Sequence, residues 1–432
     1  MVKRLRALLA DPAWMSAHRK HPQYFTRQRK MNFSTTLLLL LQRSLKSLQL
    51  HLNEFFAALA PEEPESATPS ACTQARAKLS ATAFSALNAE AVLAEFYQPD
   101  NPQAGWCGHR LLATDGSVLH LPDSREVGGY FGWQTMRTQY GMGKEPQVFG
   151  RASVLYDVCN RLVLHGVLER YTVGEQALAE QHLAHTRSGD VLLFDSGFAG
   201  YRWLARVHHH ERDFICRVQR GSFGAAQALL AAGVAGLSCH LRLEPPSGQR
   251  VGLRALGLPL SLEVRLVTVG LPNDTLEVLV TSLVDEHKYP TKAFAEAYHR
   301  RWGVELFYGL IKGRLGLENF SGRTVESVRQ DFQATLLLTN LESVLCREVG
   351  AKKRTDQLPM AVNRAVSFNA LKNQLIDLLC RQDLSIDTVL DRLKESFCGN
   401  PVRQRPGRQT SRRKENARRS LNHLRYKKKI VF

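Results

Sequence analysis

Chemistry is most legible in residues 298–312, YHRRWGVELFYGLIK, where Tyr298, Arg301, Glu305 and Lys312 stand at successive intervals of three, four and seven. At about 100° per residue, one helix over this stretch would carry the four on an arc of roughly 60°. Val304, Phe307, Leu310, Ile311 and Leu315 would then line the opposite, apolar side. On the polar side Glu305 can ligate a hard cation, and Arg301 and Lys312 can contact phosphate oxygens. The plainer reading is an amphipathic surface helix with ordinary charge pairs. Two acids upstream suit the same chemistry: Asp115 within the strand-like HRLLATDGSVLHL, and Asp195 directly after the apolar run VLLF. Hydrolysing a phosphodiester needs an activated water and charge stabilisation on the attacking and leaving oxygens. Two Mg²⁺ ions roughly 3.5–4 Å apart supply both, and a few carboxylates suffice to hold them. Any one Asp in a strand is more often a turn or edge residue. Asp123 and Asp157 sit towards strand ends, Asp190 begins its strand, and Glu318 lies past Gly316.

The elements that must position these residues read as follows. Residues 1–100 are helical, with a leucine-rich segment at 37–50 and, after a break at 61–64, TPSACTQARAKLSATAF. There Thr68 or Ser70 can cap a helix carrying Gln74, Arg76 and Lys78, and Ser80 the next. Two short helices with a basic face fit either a helix-turn-helix-like reader of DNA or a structural hairpin. Strands are expected at 109–121, 148–156, 162–171, 191–194 and 213–220, with helices at 175–188 and 201–210. The run VLLF suits a strand covered on both faces, its acid where the strand emerges. Three strands, helix, strand, helix, strand is the order of an RNase H-like α/β domain. Its last helix is delayed by residues 222–285, with β character at 251–256, 262–269 and 276–283. Helices resume after residue 323.

The expected division is a helical N-terminal domain (1–100) holding the candidate DNA reader, an α/β domain (105–325) with the β-rich insertion, a helical C-terminal region (326–398) suited to dimerisation, and a basic tail (399–432). The chain has 432 residues, a formal charge of +18 and an isoelectric point near 9.7. That excess favours a polyanionic partner without choosing among DNA, RNA and lipid. Residues 401–432 hold twelve Lys or Arg against one acid, Glu415. They read as disordered when free and held to DNA phosphates when bound, or as a solubilising tail. Eight cysteines without a C-x-x-C pair argue against zinc fingers and a disulfide framework. No apolar run reaches signal-peptide or membrane-span length, so a cytoplasmic location with no membrane partner is expected. His208, His209 and His210 point different ways on a helix and read as a surface run. Gly141 to Lys144 lacks the strand-to-helix context of a nucleotide site.

The spacing Tyr-x2-Arg-x3-Glu-x6-Lys resembles the signature of the YREK group of bacterial DDE transposases, the insertion-sequence-four family. Its flanks, VLVTSLVDEHKYPTKAFAEAY and GRLGLENFSGRT, and the upstream PSACTQARAKLS resemble that family too. The resemblance covers roughly residues 24–350. It implies an RNase H-like fold with Asp115, Asp195 and Glu305 as catalytic metal ligands, separated by 80 and 110 residues. Two Mg²⁺ ions, with Mn²⁺ able to substitute, are the implied cofactors. Tyr298, Arg301 and Lys312 are implied to hold the DNA strand near the cut. Trp302 either packs on the sheet or stacks on a base; Arg76 and Lys78 are the expected end-DNA contacts. The family often has Arg after its second acid, where this chain has Ser196. The implied activity is a transposase that binds terminal inverted repeats of double-stranded DNA, pairs two ends as a homodimer, cuts by metal-assisted hydrolysis and transfers the 3′-hydroxyl into target DNA. A non-catalytic DNA-binding repressor or domesticated relative, and an RNase H-like nuclease, are the alternatives.

Overall fold

The computed structural model describes residues 1–27, 29–62, 65–135, 137–138, 141–142, 145–219, 224–270, 275–347, 360–381 and 383–403. Backbone contacts divide the chain into two compact units, residues 102–119 with 150–310, and residues 1–101 with 120–149 and 311–432. The second unit is helical. It opens with α1 (Val2–Ala10), α2 (Pro12–Ala17), α3 (Phe33–Leu41), α4 (Leu48–Leu59) and α5 (Pro69–Arg76). Next come α6 (Thr82–Leu87), a π-helical turn (Asn88–Leu93), α7 (Ala94–Phe96) and α8 (Arg125–Phe131). All five leucines of α3 are buried, as a helix apolar all round requires. Thr68 caps α5 by accepting the Ala71 N–H at 3.2 Å. Ser80 falls one residue short of the next cap position, which is Ala81, and accepts the Thr82 N–H instead.

The other unit is built on one sheet. Its strands of four or more residues are β1 (Leu111–His120), β2 (Gln147–Asp157), β3 (Leu162–Arg170), β4 (Val191–Phe194), β5 (Asp213–Arg217), β6 (Ser238–Leu243), β7 (Leu262–Gly270) and β8 (Leu276–Thr281). The spatial order is β3-β2-β1-β4-β5-β8-β7-β6. β4 runs parallel to both β1 and β5, and β2 and β3 form an antiparallel pair. α9 (Glu175–Leu183) connects β3 to β4, and α10 (Tyr201–His209) connects β4 to β5. Parallel neighbours need such crossovers, because a tight turn cannot join them. The order 3-2-1-4-5 with helices after the third and fourth strands is the RNase H-like arrangement. The residues of β4 are all buried, as the run VLLF implies.

The insertion continues the same sheet, with β8, β7 and β6 added antiparallel beyond β5. Helices α11 (Gly224–Ala231) and α12 (Arg250–Ala255) lie within it. The stretch 251–256, read as having β character, forms α12 instead, with Leu253 buried and Val251 and Leu256 exposed. Two helices follow, α13 (Ala293–His299) and α14 (Trp302–Gly309). The single helix expected over 298–312 is therefore broken. At the break Arg301 N–H bonds to Tyr298 and Val304 N–H to Arg301, both three residues back, and residues 310–314 wind as a π-helical turn.

The helical unit ends with α15 (Val325–Arg347), α16 (Arg364–Leu379) and α17 (Ile386–Gly399). α15 buries Gln330, Asp331, Asn340 and Glu342, which is tolerable only because each is paired. Asn340 donates to Asn88 at 2.7 Å, and Glu342 is held by Arg364 and Ser367. Asp331 accepts from Arg76 at 2.8 Å and from the Ser321 N–H at 2.7 Å. The N- and C-terminal helical stretches thus share one core. No helix among the described residues is long and apolar enough to cross a membrane.

Candidate active site

The register of the parallel pair β1/β4 places the first two acids. Leu111 faces Val191, Leu112 faces Leu192 and Ala113 faces Leu193. Asp115 and Asp195 carry the same offset two residues further along, so they extend from adjacent strands on one face of the sheet. Asp195 keeps extended backbone, and its Oδ1 accepts the Gly197 N–H at 2.9 Å, capping the short 3-10 turn Ser196–Phe198. The Asp115 Oδ1 accepts the Gly116 N–H at 2.9 Å. Glu305 lies in the first turn of α14, where Arg301 donates to its Oε1 at 3.0 Å.

Electrostatics tie the three acids together. Burial raises the Asp115 carboxyl to about 6; the Gly116 N–H and Arg301 oppose the rise, and Glu305 and Asp195 add to it. Asp115 therefore sits in the field of both other acids, a concentration of negative charge that a divalent cation relieves. The donor set is all oxygen, as Mg²⁺ requires. Among the described residues no three or more His, Cys, Asp or Glu side chains converge as a closed ligand set. Glu305 accepts a hydrogen bond from Arg301, and each aspartate accepts one from a backbone N–H.

The surrounding residues depart from expectation. Tyr298 is buried, and its hydroxyl donates to the Phe194 carbonyl at 3.3 Å. Arg301, also expected on an open polar arc, is 4% exposed; its guanidinium lies 5.6 Å from the Tyr298 ring centroid and 5.3 Å from that of Trp302. Trp302 itself is 41% exposed, and Leu306 one turn on is 75% exposed. Lys312 falls in the helical unit, half-buried; burial lowers its ammonium, and Glu318 opposes the shift. Arg76 does not face solvent. Its Nε donates to Gln330, Nη1 to Ser321, and Nη2 to the Ser327 carbonyl and Asp331. Lys78 is half-buried in a cleft of about 300 Å³ shared with Arg29, Lys30, Thr68 and Gln74. His208, His209 and His210 are exposed at the end of α10. The glycine run from Gly143 on and the tail from residue 404 lie outside the described residues.

Three contributors escaped sequence reasoning. Tyr308, three residues after Glu305, is buried and donates to the Asp115 carbonyl at 3.0 Å. Ser153 on β2 donates to the same carbonyl at 3.3 Å. Arg217, at the end of β5, reaches within 3.5 Å of Ser196 Oγ and is ion-paired with Glu277. A guanidinium thus stands where the residue after the second acid is a serine. No local pattern signals any of the three, since each partner is remote in sequence.

A family model described as the transposase DDE domain matches residues 106–341. The chain belongs to the DDE transposase family. Within it, residues aligning over 280 positions are 26% identical to the transposase InsG for insertion sequence element IS4 of Escherichia coli (strain K12), which places this member in the insertion-sequence-four group. That alignment covers 63% of this chain and 60% of the relative. The putative transposase y4zB of Sinorhizobium fredii (strain NBRC 101917 / NGR234) is 24% identical over 160 residues, 37% of this chain and 44% of that one. Among solved structures, a cryo-EM structure of the piggyBac transposase synaptic complex with hairpin DNA matches with a TM-score of 0.42 and 10% identity, over 96% of this chain and 86% of that one.

Proposed function

We propose that this DDE transposase binds the terminal inverted repeats of an insertion element, cuts the DNA there by metal-dependent hydrolysis and joins the freed 3′-hydroxyl to target DNA. The observation that carries the reading is the shared offset that sets Asp115 beside Asp195, with Asp115 also in the field of Glu305. These three would hold the divalent ions, Mg²⁺ or Mn²⁺ in its place. When bound, the ions activate the attacking water and offset charge on the leaving oxygen.

The chain's own residues do the rest. Arg301, already desolvated and shielded by two aromatic rings, binds a phosphate oxygen of the strand to be cut, as Arg217 does from β5. Release of Glu305 from Arg301 frees the carboxylate for its ion and the guanidinium for phosphate. Trp302 offers its exposed face to an unstacked base. Lys312 and Lys78 contact phosphates from the helical unit, Lys78 together with its basic neighbours. Double-stranded end and target DNA are the partners, two chains pair the two ends, and the protein works in the cytoplasm on the nucleoid.

The test is cleavage of a duplex carrying the element's own ends. Wild type should nick it only with Mg²⁺ or Mn²⁺ and join the cut 3′ end to a second DNA. Asp195→Asn and Glu305→Ala should lose cleavage by at least about 10³-fold, the scale of removing a principal charge stabiliser, while band-shift assays show end binding intact. A variant that still cuts removes the assignment of its acid. Cutting without joining would make the protein a nuclease.

A further inference from the structure

Two hydroxyl groups link the helices around Glu305 to the backbone that carries the two aspartates. Tyr308 lies on α14 less than one turn from Glu305, and its ring is buried. A buried hydroxyl needs a partner, and this one donates to the Asp115 carbonyl at 3.0 Å, with the Ala152 carbonyl at 3.4 Å. Tyr298 lies on α13, before the helix break, and donates to the Phe194 carbonyl at 3.3 Å. That carbonyl belongs to the peptide unit joining Phe194 to Asp195. Each tyrosine therefore grips a peptide plane that borders the Cα of one aspartate. The two are placed on either side of Glu305 in the chain.

We propose that Tyr308 and Tyr298 are positioning residues, hydroxyl struts that set the spacing of Glu305 from Asp115 and Asp195 and so define the span of the cation site. The inference rests on the assignment of those three acids. Tyr308 ties α14 to β1, and Tyr298 ties α13 to the end of β4. Side-chain rotation can close a ligand set cheaply only if the Cα atoms are already held at the right separation. Tyr308 is the stronger strut: its bond is shorter, it shares a helix with Glu305, and its target carbonyl is steadied by a second donor, Ser153. Tyr298 acts across the break at residues 300–301 through a longer bond.

Tyr308→Phe removes one oxygen and leaves the ring packing intact. Mn²⁺ binding to the full-length protein, followed by electron paramagnetic resonance of free Mn²⁺, should weaken by about 10-fold, the scale of losing an outer-shell partner of a metal ligand. The Mg²⁺ concentration giving half-maximal cleavage should rise in parallel, and amide exchange at Gly116 should quicken in the metal-free protein. Tyr298→Phe should move Mn²⁺ binding in the same direction by about 2- to 3-fold. End-DNA binding should stay within twofold of wild type for both. A purely structural tyrosine would lower the melting temperature and leave the Mn²⁺ affinity of the folded protein unchanged; that outcome overturns the proposal. Should Tyr308→Phe not fold, Tyr298→Phe and Ser153→Ala carry the same measurement and the same criterion. If wild type itself neither binds Mn²⁺ nor cuts, the assignment of the acids fails and the struts with it. If wild type does both and the variants match it, the strut inference alone fails.

Discussion

A histidine chain behind the first acid has hydrogen-bond directions that follow from its partners. Ser153 uses its proton on the Asp115 carbonyl, so its oxygen accepts from His182 Nε2 at 2.9 Å. His182 Nδ1 is then bare and accepts from His165 Nδ1 at 2.8 Å, while the His165 ring stacks on His185 at 3.8 Å. All three rings favour the neutral form. Burial, aided by His185, lowers His165 to about 4, and burial with the other two rings as neighbours takes His182 well below its usual value. The sign follows from proton uptake. Between about pH 6.5 and 4 the unfolded chain protonates at residue 165 and the folded one does not, so this contribution is complete above 6.5 and lost as pH falls towards 4. Its size is on the order of 3 kcal/mol. Asp115, raised to about 6, works in the opposite sense over part of that window, so the measurement must be a difference. Urea unfolding of wild type against His165→Asn should show wild type losing ground to the variant as pH drops from 7 to 4. A gap that does not change with pH would remove the account of His165.

At the scale of elements, α15 buries a row of paired polar residues alongside its apolar ones. Asp331 takes Arg76 and Ser321 directly, with Arg43 at 4.0 Å, and Arg43 also holds the Gly316 carbonyl at 2.6 Å. Arg76 and Arg43 thereby clamp the segment that follows Lys312. Removing the central charge leaves a buried arginine unpaired, so Asp331→Ala should destabilise the protein by roughly 3–5 kcal/mol. Denaturant unfolding reads this directly, and a loss below about 1 kcal/mol would mean that the network relaxes to water. The same residues mark where sequence reading stops. Strand β4 was legible because a wholly apolar run signals burial on both sheet faces, whereas its parallel pairing with β1 at an offset of 80 residues leaves no mark in the sequence. The role of Arg76 was not, because a basic residue on a short helix looks the same whether it meets a phosphate or a carboxylate 255 positions away. Likewise, intervals of three, four and seven fit an unbroken helix. They carry no trace of the tightened turn at residues 300–301 that sends Tyr298 inward. Tyr308 passed unnoticed because its partner is a backbone carbonyl 193 residues upstream.

For the whole molecule the deciding quantity is charge. The chain carries +18, and residues 401–432, with twelve Lys or Arg and one Glu, supply +11 of it. Cations that neutralise phosphates release counterions, and each such contact steepens the fall of log affinity with log salt by about 0.9. If about half of the twelve engage DNA, deleting residues 401–432 should make that slope shallower by about 5. The loss should be equal on end sequence and on scrambled duplex, since phosphate contacts carry no base information. Fluorescence anisotropy between 50 and 200 mM salt on both DNAs measures the two slopes and their ratio. An unchanged slope would show that the tail stays off the DNA. A loss confined to the end sequence would make it a reader of bases. Equal loss leaves discrimination to the helical unit, where Lys78, Arg29, Lys30 and Gln74 line one cleft.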